Sequence, residues 1–185
     1  MKPIITLLFV VLIGIPKLFS QTENKVIDVL LSAYSERGYT NEPVTDQQLD
    51  LILKSGIKAP SAMNRQPWKF TVVKAEAAMK ELMRDALPGN VLIIVSGADS
   101  PQGINQFDLG LATENMFIAA HGLGLGARIY MSPVKQVNSS RDKYQIPEGF
   151  TAMMVLRVGN VDKKVDAVSA ASARKSYEEV VNFVK

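Results

Sequence analysis

Residues 59–70 read Ala59-Pro60-Ser61-Ala62-Met63-Asn64-Arg65-Gln66-Pro67-Trp68-Lys69-Phe70. An amphipathic stretch leads into this segment, and a short apolar run, Phe70 to Val73, leaves it. Pro60 and Pro67 each fix φ and push the residue before them away from the helical region. The pattern predicts a rigid, extended connector that carries Ser61, Asn64, Arg65 and Gln66 between the two prolines. Such a segment offers backbone N–H groups and amide side chains to something planar and polar. From its composition alone, it is equally an ordinary helix-to-strand connection with polar surface residues.

Upstream, apolar residues at Leu49, Ile52, Leu53 and Ile57 predict the buried stripe of a helix that ends near Lys58. Thr45, with Gln48 three residues on, gives that helix a capping box. An earlier helix is predicted over roughly Glu23 to Tyr34, with Ile27, Leu30, Leu31 and Tyr34 on one stripe. Ser35 and Arg37 follow it, a hydroxyl and a guanidinium fork that suit one phosphate. Two such residues in a loop are more often simply solvated.

Downstream, a strand is predicted at Phe70 to Val73, a helix from Ala75 to Leu87 and a turn at Pro88-Gly89-Asn90. Val91 to Ser96 is nearly all apolar and predicts a strand buried on both faces. After a short connection at Ala98 to Gln102 comes the longest helix, Asn105 to His121, apolar on almost every side. That makes it a central helix, and its small residues would admit a second helix closely, at a dimer interface or within one chain. Gly122-Leu123-Gly124-Leu125-Gly126 follows a helix and lacks the dinucleotide-loop spacing, so it reads as a glycine-rich helix end. His121, at that end, is expected to interact with free carbonyls and the helix dipole rather than to carry catalysis. Ala127 to Met131 reads as extended. Pro133 to Ile146 reads as a short polar helix with its loops, and Thr151 to Val158 as a central strand.

The chain has 185 residues, 47% of them hydrophobic, enough for one domain with a sizeable core. It contains no cysteine and one histidine, which excludes disulfides, thiol nucleophiles and thiolate or histidine-rich metal centres. Lys2, the apolar run Ile4 to Ile15, Pro16 and the small Ser20 form the pattern of a secretory signal peptide. Residues 1–20 are therefore expected to be removed, with an uncleaved anchor as the alternative, and residues 21–185 to form the exported domain. Losing Lys2 and Lys17 takes the 21 basic residues to 19 against 18 acidic ones, a net charge of +1. No basic face is clustered, which argues against nucleic acid as a partner. There is no Gly-x-Ser-x-Gly elbow, paired-acid motif or metal cluster, so an enzyme here would draw its chemistry from a bound cofactor.

The order Ala-Pro-Ser-Ala-x-Asn-x-Gln-Pro-Trp-x-Phe at 59–70 closely resembles the signature of the nitroreductase-like flavoproteins. The Asp108-Leu-Gly-x-Ala-x-x-Asn115 helix and the Pro147-Glu148-Gly149-Phe150 turn with its strand fit the same family. The resemblance implies an α+β fold: a central, mostly antiparallel sheet flanked by helices, a long buried helix, and an intertwined homodimer. It implies FMN as cofactor and NADH or NADPH as electron donor, with hydride passed to nitroaromatics, quinones or similar electron-poor acceptors. The chemistry is then the cofactor's, with no catalytic side chain. On the same basis Ser35, Arg37 and Arg174 match phosphate ligands. Pro60, Ser61, Asn64 and Gln66 match the segment along the flavin ring, contributed by the partner subunit, and Met131 and Ser132 match the segment beside flavin N5. Ala33 and Ser172 stand where the family carries further basic residues. A small-molecule acceptor and an electron-donor protein are the implied partners beyond a second copy. A degenerate relative that binds flavin or another small ligand without turnover is the competing reading. A flavin dehydrogenase or dehalogenase of the same fold is a third.

Overall fold

The structure is a computed structural model that describes residues 24–99, 104–168 and 173–184. The predicted signal peptide, most of the connection at 98–102, and Ser172 lie outside the described residues.

β1 (Trp68–Val73), β2 (Val91–Ala98), β3 (Gly126–Tyr130) and β4 (Phe150–Gly159) form one sheet in the order β1-β2-β4-β3. Every pairing is antiparallel. Alternation along β2 builds the core: Val91, Ile93 and Val95 face one side and Leu92 and Ile94 the other. On the first side, Ile52 of α2 (Asp46–Ile57) and Leu109, Met116 and Ala120 of α4 (Ile104–Gly122) pack against them. On the second, Met79 and Leu82 of α3 (Glu76–Leu82) and Val137 of α5 (Val134–Ser139) do so. The sheet is therefore covered on both faces, which is why an antiparallel strand reads as one unbroken apolar run.

Several elements differ from expectation. β1 begins two residues early, at Trp68, because pairing with Gly97 extends the ladder. α3 stops at Leu82 rather than Leu87, and Ala86 is buried beyond its end. α2 keeps its predicted capping box, Thr45 with Gln48, but Ile57 at its end is exposed. α1 (Lys25–Ser32) buries no residue at all, and Leu31 is 83% exposed. Among the described residues nothing covers its apolar stripe. α4 is central, yet only one side of it is sealed: Gly110 is exposed and Phe117 and Ile118 are half-buried. Gly124 ends it at φ 76°, and Leu125 N–H closes back on Ala120 C=O at 3.0 Å, the glycine-rich helix end expected there.

Among the described residues no helix is long and apolar enough to cross a membrane, and no group of three or more His, Asp or Glu could hold a metal ion.

Candidate functional site

The decisive stretch is a compact turn, not the extended connector expected. Ala62–Asn64 forms a single 3₁₀ turn. Met63, Asn64 and Gln66 take left-handed φ values of 53°, 54° and 49°. The prolines fix φ only at their own positions, and local hydrogen bonds decide the rest. Ser61 C=O accepts from Asn64 N–H at 3.0 Å, and Ser61 Oγ accepts from Gln66 N–H at 2.9 Å, closing the loop. Ser61 thus acts through its hydroxyl as well as its backbone. Each left-handed non-glycine residue costs about 1–2 kcal/mol, and three of them in four positions concentrate strain where function is usually found.

An outside clamp holds the loop. Asp108, buried on the first turns of α4, accepts the Ala62 N–H on both carboxylate oxygens, at 3.2 and 3.3 Å. Pro60, Asn64, Arg65 and Gln66 remain exposed. The Gln66 amide donates to Asn64 Oδ1 at 3.2 Å, which sets the two side chains side by side. Gln66 and Lys69 border a largely apolar groove of about 420 Å³, lined also by Leu53, Ile57, Trp68 and Phe70. The Trp68 and Phe70 rings run parallel there, 6.5 Å apart between centres.

The phosphate candidates sit elsewhere. Residues 34–39 run along the outer edge of β3: Ser35 bridges Ala127, and Glu36 N–H donates to Ala127 C=O at 3.0 Å. In extended chain alternate residues share a face. Ser35 and Arg37 point outward and are exposed, whereas Glu36 points inward and is fully buried. Its Oε1 accepts from the backbone N–H groups of Arg37 and Gly38, at 2.7 and 2.8 Å, and its Oε2 accepts from Tyr34 Oη–H at 3.0 Å. Gly126 makes the room, because a Cβ there would come within 2.4 Å of Glu36 Cγ. Burial, with the Glu36 hydrogen bond, pushes the Tyr34 hydroxyl above its ordinary pKa.

His121 meets the backbone as expected, but at Tyr34 rather than at its own helix end. Its ring lies against Tyr34 and Phe117, with centres 5.6 and 4.7 Å away. Nε2 is buried without a partner. Burial holds its pKa below the ordinary value, despite a hydrogen bond with the Tyr34 backbone. A neutral imidazole gives the helix dipole little to act on.

Met131 and Ser132, just past β3, are exposed, as is Arg174 in the C-terminal segment. Ser35, beside Ala127, and Ser132 are separated by the length of β3, roughly 17 Å at the rise of an antiparallel strand.

Within one protomer the 34–39 segment lies away from the 60–67 loop. β1, which the loop enters, and β3 are opposite edges of the sheet. The loop is pinned to Asp108 near the start of α4, while Tyr34 touches His121 near its end. Thirteen helical steps, about 20 Å, separate those anchors.

Sequence reasoning passed over Glu36, gave Asp108 no role, and missed Arg157. Arg157 is buried in β4, donating to Asn90 Oδ1 and Asp85 with its guanidinium over the Tyr39 ring. A charge inside the apolar run Met153–Val158 was a signal for Arg157. Nothing in the pattern of residues 34–39 marks Glu36 as buried.

The family model for the Nitroreductase family matches residues 30–92, a span that takes in both the 34–39 segment and the 60–67 loop. A protein of Archaeoglobus fulgidus named as an NADH dehydrogenase/NAD(P)H nitroreductase is 29% identical over 146 residues, 72% of this chain and 83% of the relative. One of Methanothermobacter thermautotrophicus with the same name is 27% identical, covering 72% and 76%. A nitroreductase structure in complex with FMN from Desulfovibrio desulfuricans superposes with a TM-score of 0.74 at 26% identity, over 89% of this chain and 99% of that one. The antiparallel sheet flanked by helices is thus the nitroreductase fold, and the family model's match runs through both the 34–39 segment and the 60–67 loop.

Proposed function

We propose that this protein is an FMN-dependent oxidoreductase working as a homodimer, with each site built from both subunits. Two-electron transfer, from NADH or NADPH to an electron-poor acceptor such as a nitroaromatic or a quinone, is the chemistry that FMN supplies when bound. The observation that carries the reading is the loop at 61–66: it is strained, clamped by Asp108, and presents exposed amides beside an apolar groove.

The chain's own residues bind and orient. Ser35 and Arg37, with Arg174 from the C-terminal segment, would hold the phosphate through charge-assisted hydrogen bonds. Asn64 and Gln66 suit the polar edge of the ring, with Pro60 and Ser61 shaping the backbone that faces it. Met131 and Ser132, exposed just past β3, would form the segment beside the ring. Negative charge gathers on the ring system during reduction, and Arg65 is a cation placed to stabilise it. The separation of the 34–39 segment from the loop along α4 supports completion of the site by a second copy. So does the uncovered apolar face of α1, where Val26 and Leu30 line a groove of about 460 Å³ with Ile118 and Ala119 of α4. Export of the mature domain, read from residues 1–20, belongs to the proposal. In that setting a protein could replace the nicotinamide donor.

An absorbance spectrum of the protein purified with FMN present tests this. Flavin bands near roughly 370 and 450 nm that bleach with NADH or NADPH are expected. Bands that bleach only with dithionite would point to a protein donor. A colourless protein that fails to take up added FMN would sink the proposal. Turnover-free flavin binding is the second reading, favoured by the buried acid beside Arg37.

A further inference from the structure

Resting on the flavin reading above, we propose that Glu36 makes the phosphate end of the site weakly selective, so that the pocket accepts flavin with or without its phosphate. Glu36 lies between the two outward-facing phosphate candidates, Ser35 and Arg37, and is fully buried. All three of its hydrogen-bond partners are neutral donors: two backbone N–H groups and the Tyr34 hydroxyl. Both oxygens of this carboxyl are thus used as acceptors, the arrangement that suits a carboxylate. Among the described residues none of the ion pairs includes Glu36. Burial disfavours the cation of His121, packed against Tyr34, although Glu36 favours it. Asp166 adds a second acid that acts on Tyr34. Ala33 contributes no cation at the helix end.

The two charges are unequal in effect. Arg37 is exposed, so solvent and salt weaken its pull on a phosphate, whereas the buried charge of Glu36 is screened far less. The same carboxylate organises the segment by gripping the N–H groups of residues 37 and 38. The fold thus shapes a phosphate cradle with an acid that opposes its ligand. Gly126, by leaving room for Glu36, keeps that acid in place.

Flavin-stripped full-length protein is titrated with FMN and with riboflavin, following flavin fluorescence, for wild type and Glu36→Gln. Gln keeps the shape and an acceptor oxygen while removing the charge. The wild type is expected to bind the two flavins within about tenfold of each other. Glu36→Gln should then tighten FMN by about tenfold, the order of one like charge roughly 10 Å away at an effective dielectric near 20, and leave riboflavin unchanged. An equal shift for both flavins, or no gain for FMN, would overturn the inference. If the variant does not fold, the wild-type ratio decides alone: a preference for FMN of about a thousandfold contradicts it. Failure of the wild type to bind either flavin overturns the flavoprotein reading itself, and the selectivity inference with it.

Discussion

The segment at 34–39 and the loop at 60–67 solve one problem in two ways. Each must hold a short piece of backbone still while its polar side chains face outward, and each uses a buried carboxylate that accepts backbone N–H groups. In the loop the carboxylate is Asp108, 46 residues away on another element. In the segment it is Glu36, a neighbour of the residues it organises. A remote clamp lets the loop carry strain, because α4 is anchored in the core and does not yield. A local clamp adds no strain but places a negative charge beside the cation it supports. The origin of the clamp, more than its chemistry, decides what it costs the site.

Removing each clamp separates the two. Asp108→Ala should have the largest effect: hydrogen bonds to a charged group contribute about 1.5–3 kcal/mol, and the strained loop relaxes without them. Thermal unfolding should register the loss, and FMN titration should show weakening of about ten- to a hundredfold. Unchanged FMN affinity would remove Asp108 from the site. Gly126→Ala should cost about 2 kcal/mol, because its Cβ collides with Glu36 Cγ in a packed interior. Gly124→Ala, with nothing within 4 Å but φ at 76°, should cost about 1 kcal/mol and leave flavin binding alone. Equal effects of the two alanines on FMN would break the link between Glu36 and the cradle.

Ser61→Ala should be milder, about 1 kcal/mol, with a weakening of flavin binding of a few-fold, since one neutral hydrogen bond closes the loop. The smallest effect is in pH dependence. His121 has its pKa lowered by burial, so in the acid range the unfolded chain binds a proton that the folded chain refuses. Stability should fall as pH drops below about 6.5, the ordinary histidine value, and His121→Phe should flatten that part of the curve. An identical slope in the variant, measured by urea unfolding at several pH values, would show that other groups dominate.

Periodicity made the sheet and helices legible: β2 was an apolar run, α2 carried its capping box, and Gly124 ended α4. The family signature marked the loop, but the two prolines suggested extended chain there. The three left-handed residues depend on Ser61 Oγ and on Asp108, a contact that no local pattern reveals. Glu36 stayed hidden because a charged residue beside Ser35 and Arg37 looks like surface. Its burial depends on a missing Cβ at Gly126, 90 positions later in the chain. α1 shows the reverse case: the helix was legible, but it stops at Ser32, Tyr34 falls outside its stripe, and no described residue covers Leu31.

Assembly of each site from two subunits is most directly tested with a mixed dimer. One subunit carries Arg37→Glu and the other Asn64→Ala with Gln66→Ala, each with its own affinity tag. Each parent homodimer should be empty at a moderate FMN concentration. The purified mixed dimer should recover flavin in half its sites, because one site receives an intact segment from one subunit and an intact loop from the other. A mixed dimer as empty as its parents would show that the segment and the loop of a single subunit serve the same flavin.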